Sequence, residues 1–168
     1  IYIPLTQLGI RVCGNMAEVS LTSVFAGELI GTMILILLGD GVVANAVLSK
    51  TKGRGVGADW ILITAGWGFA VVFGVIGAMA AGSPYAFLNP AVAIALGTIG
   101  KVSWDVVITS IIAEFIGAFI GAVLVFLAYY LHFAATEDPA LKLAVFSTSP
   151  AIRNLPLNFI TEVIGTFM

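Results

Sequence analysis

The sequence predicts an all-α protein that crosses a membrane several times. Of its 168 residues, 60% are hydrophobic and only 10% are charged, a composition typical of polytopic membrane proteins rather than of soluble domains. A charge-free run of 41 residues extends from Trp60 to Gly100. Because one helical span needs about 20 apolar residues, this run is too long for one span and too short for two. The mismatch indicates a crossing followed by a shorter membrane segment.

The first span is expected over about residues 21–48, with Ser20 or Thr22 at its start. The preceding segment, residues 1–20, is not assigned. It does not begin with Met, and its early Pro and Gly residues fit neither a signal peptide nor a span. At the other end, an apolar pattern stops without a helix stop signal. We therefore interpret the chain as incomplete at both ends.

The second span is expected over about residues 61–81. Gly82-Ser83-Pro84 then breaks the helix, and Asn89-Pro90 has the chemistry of a new start, with Asn as N-cap and Pro at the first helical position. The new helix is predicted over residues 89–99. About ten residues at 1.5 Å each give about 15 Å, which is half of a bilayer.

If Lys101 marks the membrane surface, Asn89 lies near the midplane. Non-helical backbone at that depth is tolerated only where it is buried in protein or lines a water-filled cavity. We therefore expect residues 82–88 to line a wet space, with carbonyls that accept hydrogen bonds and with an Asn89 amide that donates them. In a soluble protein the Asn-Pro pair would be an ordinary helix cap, but the half-bilayer length and the composition favour a re-entrant segment.

The third span is expected over about residues 104–131, with Ser103 as N-cap and Asp105 in the first turn. A long loop is predicted over residues 132–157, because three prolines interrupt it. A fourth span should begin near Asn158.

Three similar segments each place a Glu three residues before a Gly on a predicted membrane helix. These residues are Glu28, Glu114 and Glu162. Intramembrane carboxylates are costly and indicate function. A proton relay is one interpretation, but no Lys or His lies at membrane depth to exchange protons with them. We favour structural braces that accept N–H bonds from buried irregular backbone, such as the loop before Asn89.

Other classes of function have little support. The lone Cys13 and the lone His132 exclude an internal disulfide and make a Cys or His metal cluster unlikely to form. A net charge of −2 without a long basic run gives no sign of nucleic-acid binding. No nucleophile and base pair is suggested by spacing, so we expect no enzyme activity, no metal and no cofactor.

Three motifs in order and spacing carry a family resemblance. Residues 26–32 (AGELIGT), residues 88–92 (LNPAV) and Gly117-Ala118 are similar to the first-half motifs of the major intrinsic protein family, the aquaporins and glycerol facilitators. The resemblance covers residues 23–168. It implies an aquaporin-like right-handed helical bundle, usually a homotetramer, of which this chain holds spans 1–3, the first re-entrant half-helix and the start of span 4. Residues 21–131 would be the first repeat and residues 158–168 the start of the second.

Within that family, residues 39–45 (GDGVVAN) and 66–69 (GWGF) resemble bacterial glycerol facilitators. The resemblance places Trp67 at the outer constriction, as an apolar wall for the carbon backbone of a polyol. A membrane packing or interface aromatic is the alternative for this residue. The expected pore residues are Trp67, Tyr85, Ala86, Phe87, Leu88, Asn89, Pro90 and Ala91.

The chain also departs from the family pattern. Residues 84–87 (PYAF) stand where Ser-Gly-x-His is usual, and Glu114 stands where many members carry Gln. The second Asn-Pro-Ala and the constriction Arg would lie beyond Met168. Residues 50–54 carry three positive charges in a loop that the family places outside, whereas the positive-inside rule favours the opposite orientation. We follow the family orientation.

The leading hypothesis is a multi-pass channel of a bacterial plasma membrane for passive passage of glycerol and similar small uncharged solutes, with water. Membrane lipid and other copies of the full-length protein are the expected partners. One alternative is a water-dominated or broad channel that passes urea, lactic acid or dihydroxyacetone, which the altered residues 84–87 favour. The other is a truncated, non-conducting membrane module.

Overall fold

All regular elements in the described part of the chain are helices. A computed structural model describes residues 19–55 and 59–167, so most of the unassigned segment, residues 1–18, lies outside the described residues. The helices are α1 (Leu21–Val47), α2 (Asp59–Ala80), α3 (Pro90–Thr98), α4 (Trp104–Ala128), α5 (Tyr130–Ala135), α6 (Pro139–Phe146) and α7 (Leu155–Phe167).

Helices α1, α2 and α4 are long and apolar enough to cross a membrane. At 1.5 Å per residue, each is longer than about 30 Å. Their outward-facing side chains are large and apolar: Ile61, Phe69 and Phe119 are 74%, 64% and 72% exposed. Soluble monomers rarely expose such contiguous surface, whereas lipid tails cover it without cost. The prediction of an all-α polytopic membrane protein is confirmed.

The break after α2 is a Schellman motif. Gly82 adopts a φ of 107°, a left-handed conformation that glycine reaches without a Cβ penalty. Its N–H donates to the Met79 carbonyl at 3.1 Å, and the Ser83 N–H donates to the Ala78 carbonyl at 3.0 Å. The helix therefore stops with its last carbonyls satisfied, and the chain turns back inside the bundle. Helix α3 ends in the same way at Gly100, whose φ is 70°.

The prediction of an unbroken loop over residues 132–157 is wrong in part. Helix α5 extends into this stretch, α6 lies within it, and α7 begins at Leu155, three residues before the expected start. Two of the three prolines begin helices and do not break them. Pro139 follows the N-cap Asp138, whose Oδ1 accepts the Ala140 N–H at 2.8 Å, and Pro156 lies in the first turn of α7, where a missing N–H costs nothing.

Helix α1 is the centre of the bundle, and glycines bring both neighbours close to it. On the α2 side, a Cβ added at Gly31 would lie 2.7 Å from the Gly74 carbonyl oxygen. On the α4 side, a Cβ at Gly121 would lie 2.7 Å from the Met33 carbonyl oxygen, and one at Gly117 would overlap the Leu29 carbonyl. The small-xxx-small spacing of these glycines therefore marks close helix packing. The order of contacts shows that α1 is antiparallel to α2 and parallel to α4.

Two apolar clusters close the ends of the α1–α4 pair. One joins Val24 and Val107 to Phe87 and Ala93, and so packs the re-entrant segment and α3 against the first turns of α1 and α4. The other joins Leu48 and Val125 to the buried side chains of α5 and α6. Helix α7 has no buried residue. The bundle thus fixes both ends of the segment between α2 and α4.

Candidate functional site

The candidate site is the re-entrant loop of residues 82–88 and the start of α3. The Asn89 N–H donates to Glu114 Oε1 at 3.1 Å. Glu114 stands two residues before the midpoint of α4, a helix of 25 residues. Because α4 is long enough to span the membrane, this contact puts the start of α3 close to the middle of the bundle. Helix α3 has 9 residues and therefore covers about 14 Å, or half of a hydrocarbon core.

Glu28 on α1 accepts three hydrogen bonds from this loop. The Ser83 hydroxyl donates to Oε1 at 2.7 Å, the Phe87 N–H to Oε1 at 3.1 Å, and the Leu88 N–H to Oε2 at 3.0 Å. The Glu28 side chain is fully buried. Both of its oxygens are therefore occupied, by donors that span most of the loop.

Glu114 on α4 takes the next N–H along the chain, that of Asn89. Its side chain is 1% exposed. No described residue donates to its second oxygen, Oε2, which is buried as well. Every Lys and Arg of the described residues lies outside α1, α2, α3 and α4, so the two carboxylates are held by neutral donors.

The loop backbone is shaped to point its N–H groups in one direction. Ala86 and Leu88 have φ values of 47° and 52°, a left-handed conformation that costs about 1–2 kcal/mol for a residue with a Cβ. Alternation of this conformation with ordinary residues makes successive N–H groups converge on an anion. Here the anions are side chains of the protein, and their hydrogen bonds offset the strain.

The loop carbonyls have no such partners. No described N–H or O–H group donates to the carbonyl oxygens of residues 84–88. The structure therefore separates donors from acceptors, with the N–H groups directed to carboxylates and the carbonyls available to other donors.

The Asn89 side chain caps α3 with one atom and leaves the other free. Its Oδ1 accepts the Ala91 N–H at 2.9 Å, with the residue in an extended conformation. Pro90 at the first helical position has no N–H to satisfy. The Asn89 side chain is exposed in this chain, and the described residues leave the Nδ2 protons without an acceptor. The site can thus donate from Asn89 and accept at the adjacent carbonyls.

Ser83 is a site residue that the sequence analysis did not single out as one. It is fully buried; its hydroxyl donates to Glu28 and lies 3.3 Å from the Tyr85 and Ala86 nitrogens. A Cβ added at Gly27 would lie 2.6 Å from the Ser83 nitrogen, so only glycine admits this approach to α1. A polar residue between Gly82 and Pro84 in an otherwise apolar run was the available signal.

The other predicted site residues lie in different surroundings. Tyr85 and Phe87 stack with ring centroids 5.2 Å apart. Trp67 is half-buried on α2, where its ring packs on Gly39 of α1. It lies seven residues, or about 10 Å, along α2 from Gly74, the position against which Leu88 packs. Trp67 is therefore at another level of the bundle than the re-entrant loop.

Glu162, the third predicted brace, lies on the exposed helix α7. It accepts no hydrogen bond from the backbone that the structure describes. Unlike Glu28 and Glu114, it contacts no part of the re-entrant loop. A brace role for Glu162 therefore has no support within the described ranges.

Comparisons with known proteins agree with this arrangement. The family model of the major intrinsic protein matches residues 15–168. The probable glycerol uptake facilitator protein of Thermotoga maritima is 49% identical over 148 residues, or 87% of this chain and 61% of that protein. Glycerol uptake facilitator protein 3 of Lactiplantibacillus plantarum is 50% identical over 142 residues, or 84% of this chain and 58% of the relative. The D/L-lactic acid transporter of the same species is 35% identical over 144 residues, with 84% and 58% covered.

The chain thus spans about three-fifths of the length of the curated relatives it matches. The comparison with solved structures found no significant match. The family model nevertheless covers most of the chain, including all of α1 to α4 and the re-entrant loop between α2 and α3. The chain belongs to the major intrinsic protein family.

Proposed function

We propose that this chain is the part of a membrane channel that carries the first re-entrant half-helix of a pathway for glycerol and similar small uncharged solutes, with water. Movement is passive and downhill. It needs no covalent step and no cofactor, so the protein is a transporter and not an enzyme. The observation that carries the proposal is the division of hydrogen-bonding groups in the loop, with free Asn89 donors beside free carbonyl acceptors.

A hydroxylated solute fits this division. Its hydroxyl accepts from the Asn89 amide and donates to the carbonyls of residues 85–88, so the solute exchanges its water contacts for equivalent ones. The partial positive charge at the start of α3 disfavours cations at the same place. In this proposal Trp67 forms the apolar wall at the outer constriction, and Pro90 and Ala91 complete the cap that fixes Asn89.

Glu28 and Glu114 act as braces in the proposed channel. Their oxygens occupy the N–H groups of Phe87, Leu88 and Asn89, and thereby keep those donors away from the solute and hold the carbonyls outward. Without these acceptors, buried N–H groups of the loop would each cost about 1–3 kcal/mol. The braces therefore define which side of the loop the solute meets.

A broader solute range is the second candidate. It is favoured by the replacement of the usual residues before Leu88 with Pro84-Tyr85-Ala86-Phe87 and by the 35% identity to a protein named D/L-lactic acid transporter. In this version the pathway passes water, urea, lactic acid or dihydroxyacetone beside or instead of glycerol. Relative rates for these solutes decide between the two.

The expected setting is a bacterial cell membrane, with lipid around α2 and α4 and a homotetramer of the full-length protein. The names of the bacterial relatives and the three apolar helices support this setting. Crosslinking in native membranes tests the tetramer.

Reconstitution tests the function. The chain is inserted into liposomes, and light scattering is followed by stopped flow under a glycerol gradient, beside empty vesicles. Asn89→Asp keeps an oxygen to cap the Ala91 N–H but removes the donor and adds charge, so it should abolish glycerol entry while α3 remains folded. Asn154→Asp is the matched control, because Asn154 also caps through Oδ1, at 3.3 Å from the Leu157 nitrogen, but lies outside the bundle.

Entry that is fast in the wild type and control, and slow in Asn89→Asp, supports the channel. Rates equal to empty vesicles for all three variants refute conduction by this chain and favour the third candidate, a non-conducting module that assembles with other subunits.

A further inference from the structure

Glu28 and Glu114 lie side by side but differ in how well they are satisfied. Their partners on the loop are adjacent residues, since Oε2 of Glu28 accepts from Leu88 and Oε1 of Glu114 accepts from Asn89. Both side chains are at least 99% buried. Glu28 accepts three hydrogen bonds, whereas Glu114 accepts one and keeps a buried oxygen for which the described residues provide no donor.

No opposite charge compensates the pair. Toward them, α2 is free of charge from Trp60 to Ala80, and the segment from Ala81 to Gly100 carries Tyr85 as its only titratable group. Asp40 on α1 lies 12 residues from Glu28, about 18 Å along the axis. Asp105 on α4 lies 9 residues from Glu114, about 14 Å away, beyond which Lys101 follows α3.

Two anions in such a place are not compatible with the hydrogen bonds available. A buried carboxylate needs donors on both oxygens or an opposite charge, and two neighbouring carboxylates cannot both ionise at low dielectric. Glu28 meets the requirement with donors on both oxygens. Glu114 does not, and a proton on its Oε2 removes the unmet charge while Oε1 still accepts the Asn89 N–H.

We propose that Glu114 is a neutral, protonated glutamic acid that positions Asn89, and that Glu28 alone carries the negative charge of the pair. Two buried hydroxyls without partners, Thr32 and Ser110, lie one helical turn from Glu28 and Glu114 on the same helix faces, and they are candidate acceptors for this proton. Glu114 thus resembles a Gln in its charge and in the oxygen that it offers to Asn89.

This inference rests on the proposed function for its purpose but not for its test. In the channel, a neutral acceptor fixes the Asn89 backbone without adding a second negative charge beside the solute. An ionised Glu114 would counteract the positive end of α3 and weaken the exclusion of cations. Glu114 is a positioning residue here, since it acts through Asn89 and does not touch the solute.

Infrared spectroscopy of the chain in lipid bilayers at neutral pH tests the proposal. The carbonyl stretch of a protonated carboxylic acid is separate from the bands of carboxylates and amides. The wild type should show such a band, Glu114→Gln should remove one component of it, and Glu28→Gln should retain that component. Bands from any other carboxyl group remain in Glu114→Gln and are subtracted.

A wild-type spectrum without a component sensitive to Glu114→Gln overturns the proposal, as does a component that only Glu28→Gln removes. If a variant does not fold, carbon-13 shifts of the glutamate carboxyl groups in the wild type give the answer, with Glu114 assigned through its contact with the Asn89 nitrogen. A protonated Glu114 in a chain that conducts nothing would refute the proposed function alone, so the two failures are distinguishable.

Discussion

Glu28→Gln should loosen the re-entrant loop without unfolding the helices. Glutamine has the same shape but offers one acceptor oxygen and one NH2 group. Whichever way the amide turns, its NH2 group faces either the Leu88 N–H or the pair formed by the Ser83 hydroxyl and the Phe87 N–H. At least one buried donor therefore loses its acceptor, and the bonds that remain lose their charge assistance.

The size of the effect follows from these contacts. An unsatisfied buried donor costs about 1–3 kcal/mol, and neutral hydrogen bonds have roughly half the strength of charge-assisted ones. Together they give about 2–4 kcal/mol for opening of the loop. Because each 1.4 kcal/mol is a factor of about ten, the amides of Phe87 and Leu88 should exchange about 30- to 700-fold faster in the variant.

Hydrogen exchange at single-residue resolution in bilayers measures this opening. Glu137→Gln is the matched control, because Glu137 is exposed and lies outside the bundle. The Asn89 amide is an internal control, since it donates to Glu114 and should change less than its two neighbours. If Phe87 and Leu88 exchange at the wild-type rate in Glu28→Gln, their bonds to this carboxylate do not hold the loop and the reasoning fails.

Three further changes test other contacts. Ser83→Ala removes a buried donor and a nearby acceptor at once and should destabilise the chain by about 1–3 kcal/mol in denaturation from mixed micelles, whereas an unchanged midpoint would show that the hydroxyl is dispensable. Gly117→Ala places a Cβ against the α1 backbone and should separate α1 from α4, measured as loss of helix–helix crosslinking; Gly68→Ala, with no atom within 4 Å of the added Cβ, is the control and should crosslink normally. Thr136→Val removes the hydroxyl that accepts the Ser49 N–H at 2.8 Å, so proteolysis in the loop after α1 should be faster; equal cleavage would contradict a role for this bond.

The sequence predicted the helices well where the signal was composition or cap chemistry. The three spans follow from runs of apolar residues, and the start of α3 follows from Asn89 followed by Pro90. The same reasoning was not applied to Asp138-Pro139, which has the same cap chemistry and begins α6. The error came from treating proline as a break in every loop, although at the first helical position it favours a helix.

The site was only partly predictable, because its geometry depends on contacts between distant residues. Intramembrane carboxylates singled out Glu28 and Glu114, which both contact the loop, and also Glu162, which does not. The division of three consecutive N–H groups between two helices could not be predicted, because it depends on the left-handed conformation of Ala86 and Leu88. Neither residue type favours that conformation, so tertiary contacts impose it.

The loop's two acceptors also set an order of assembly in the membrane. Glu28 precedes the Leu88 N–H by 60 residues, whereas Glu114 follows the Asn89 N–H by 25 residues. During synthesis, the acceptor on α1 is therefore already in the membrane when the re-entrant segment emerges, but the acceptor on α4 is not. The Asn89 N–H must remain at a hydrated interface, or be solvated there by water, until α4 has been inserted. Re-entry of this segment is thus completed late, as a step of tertiary folding that the arrival of a later helix triggers.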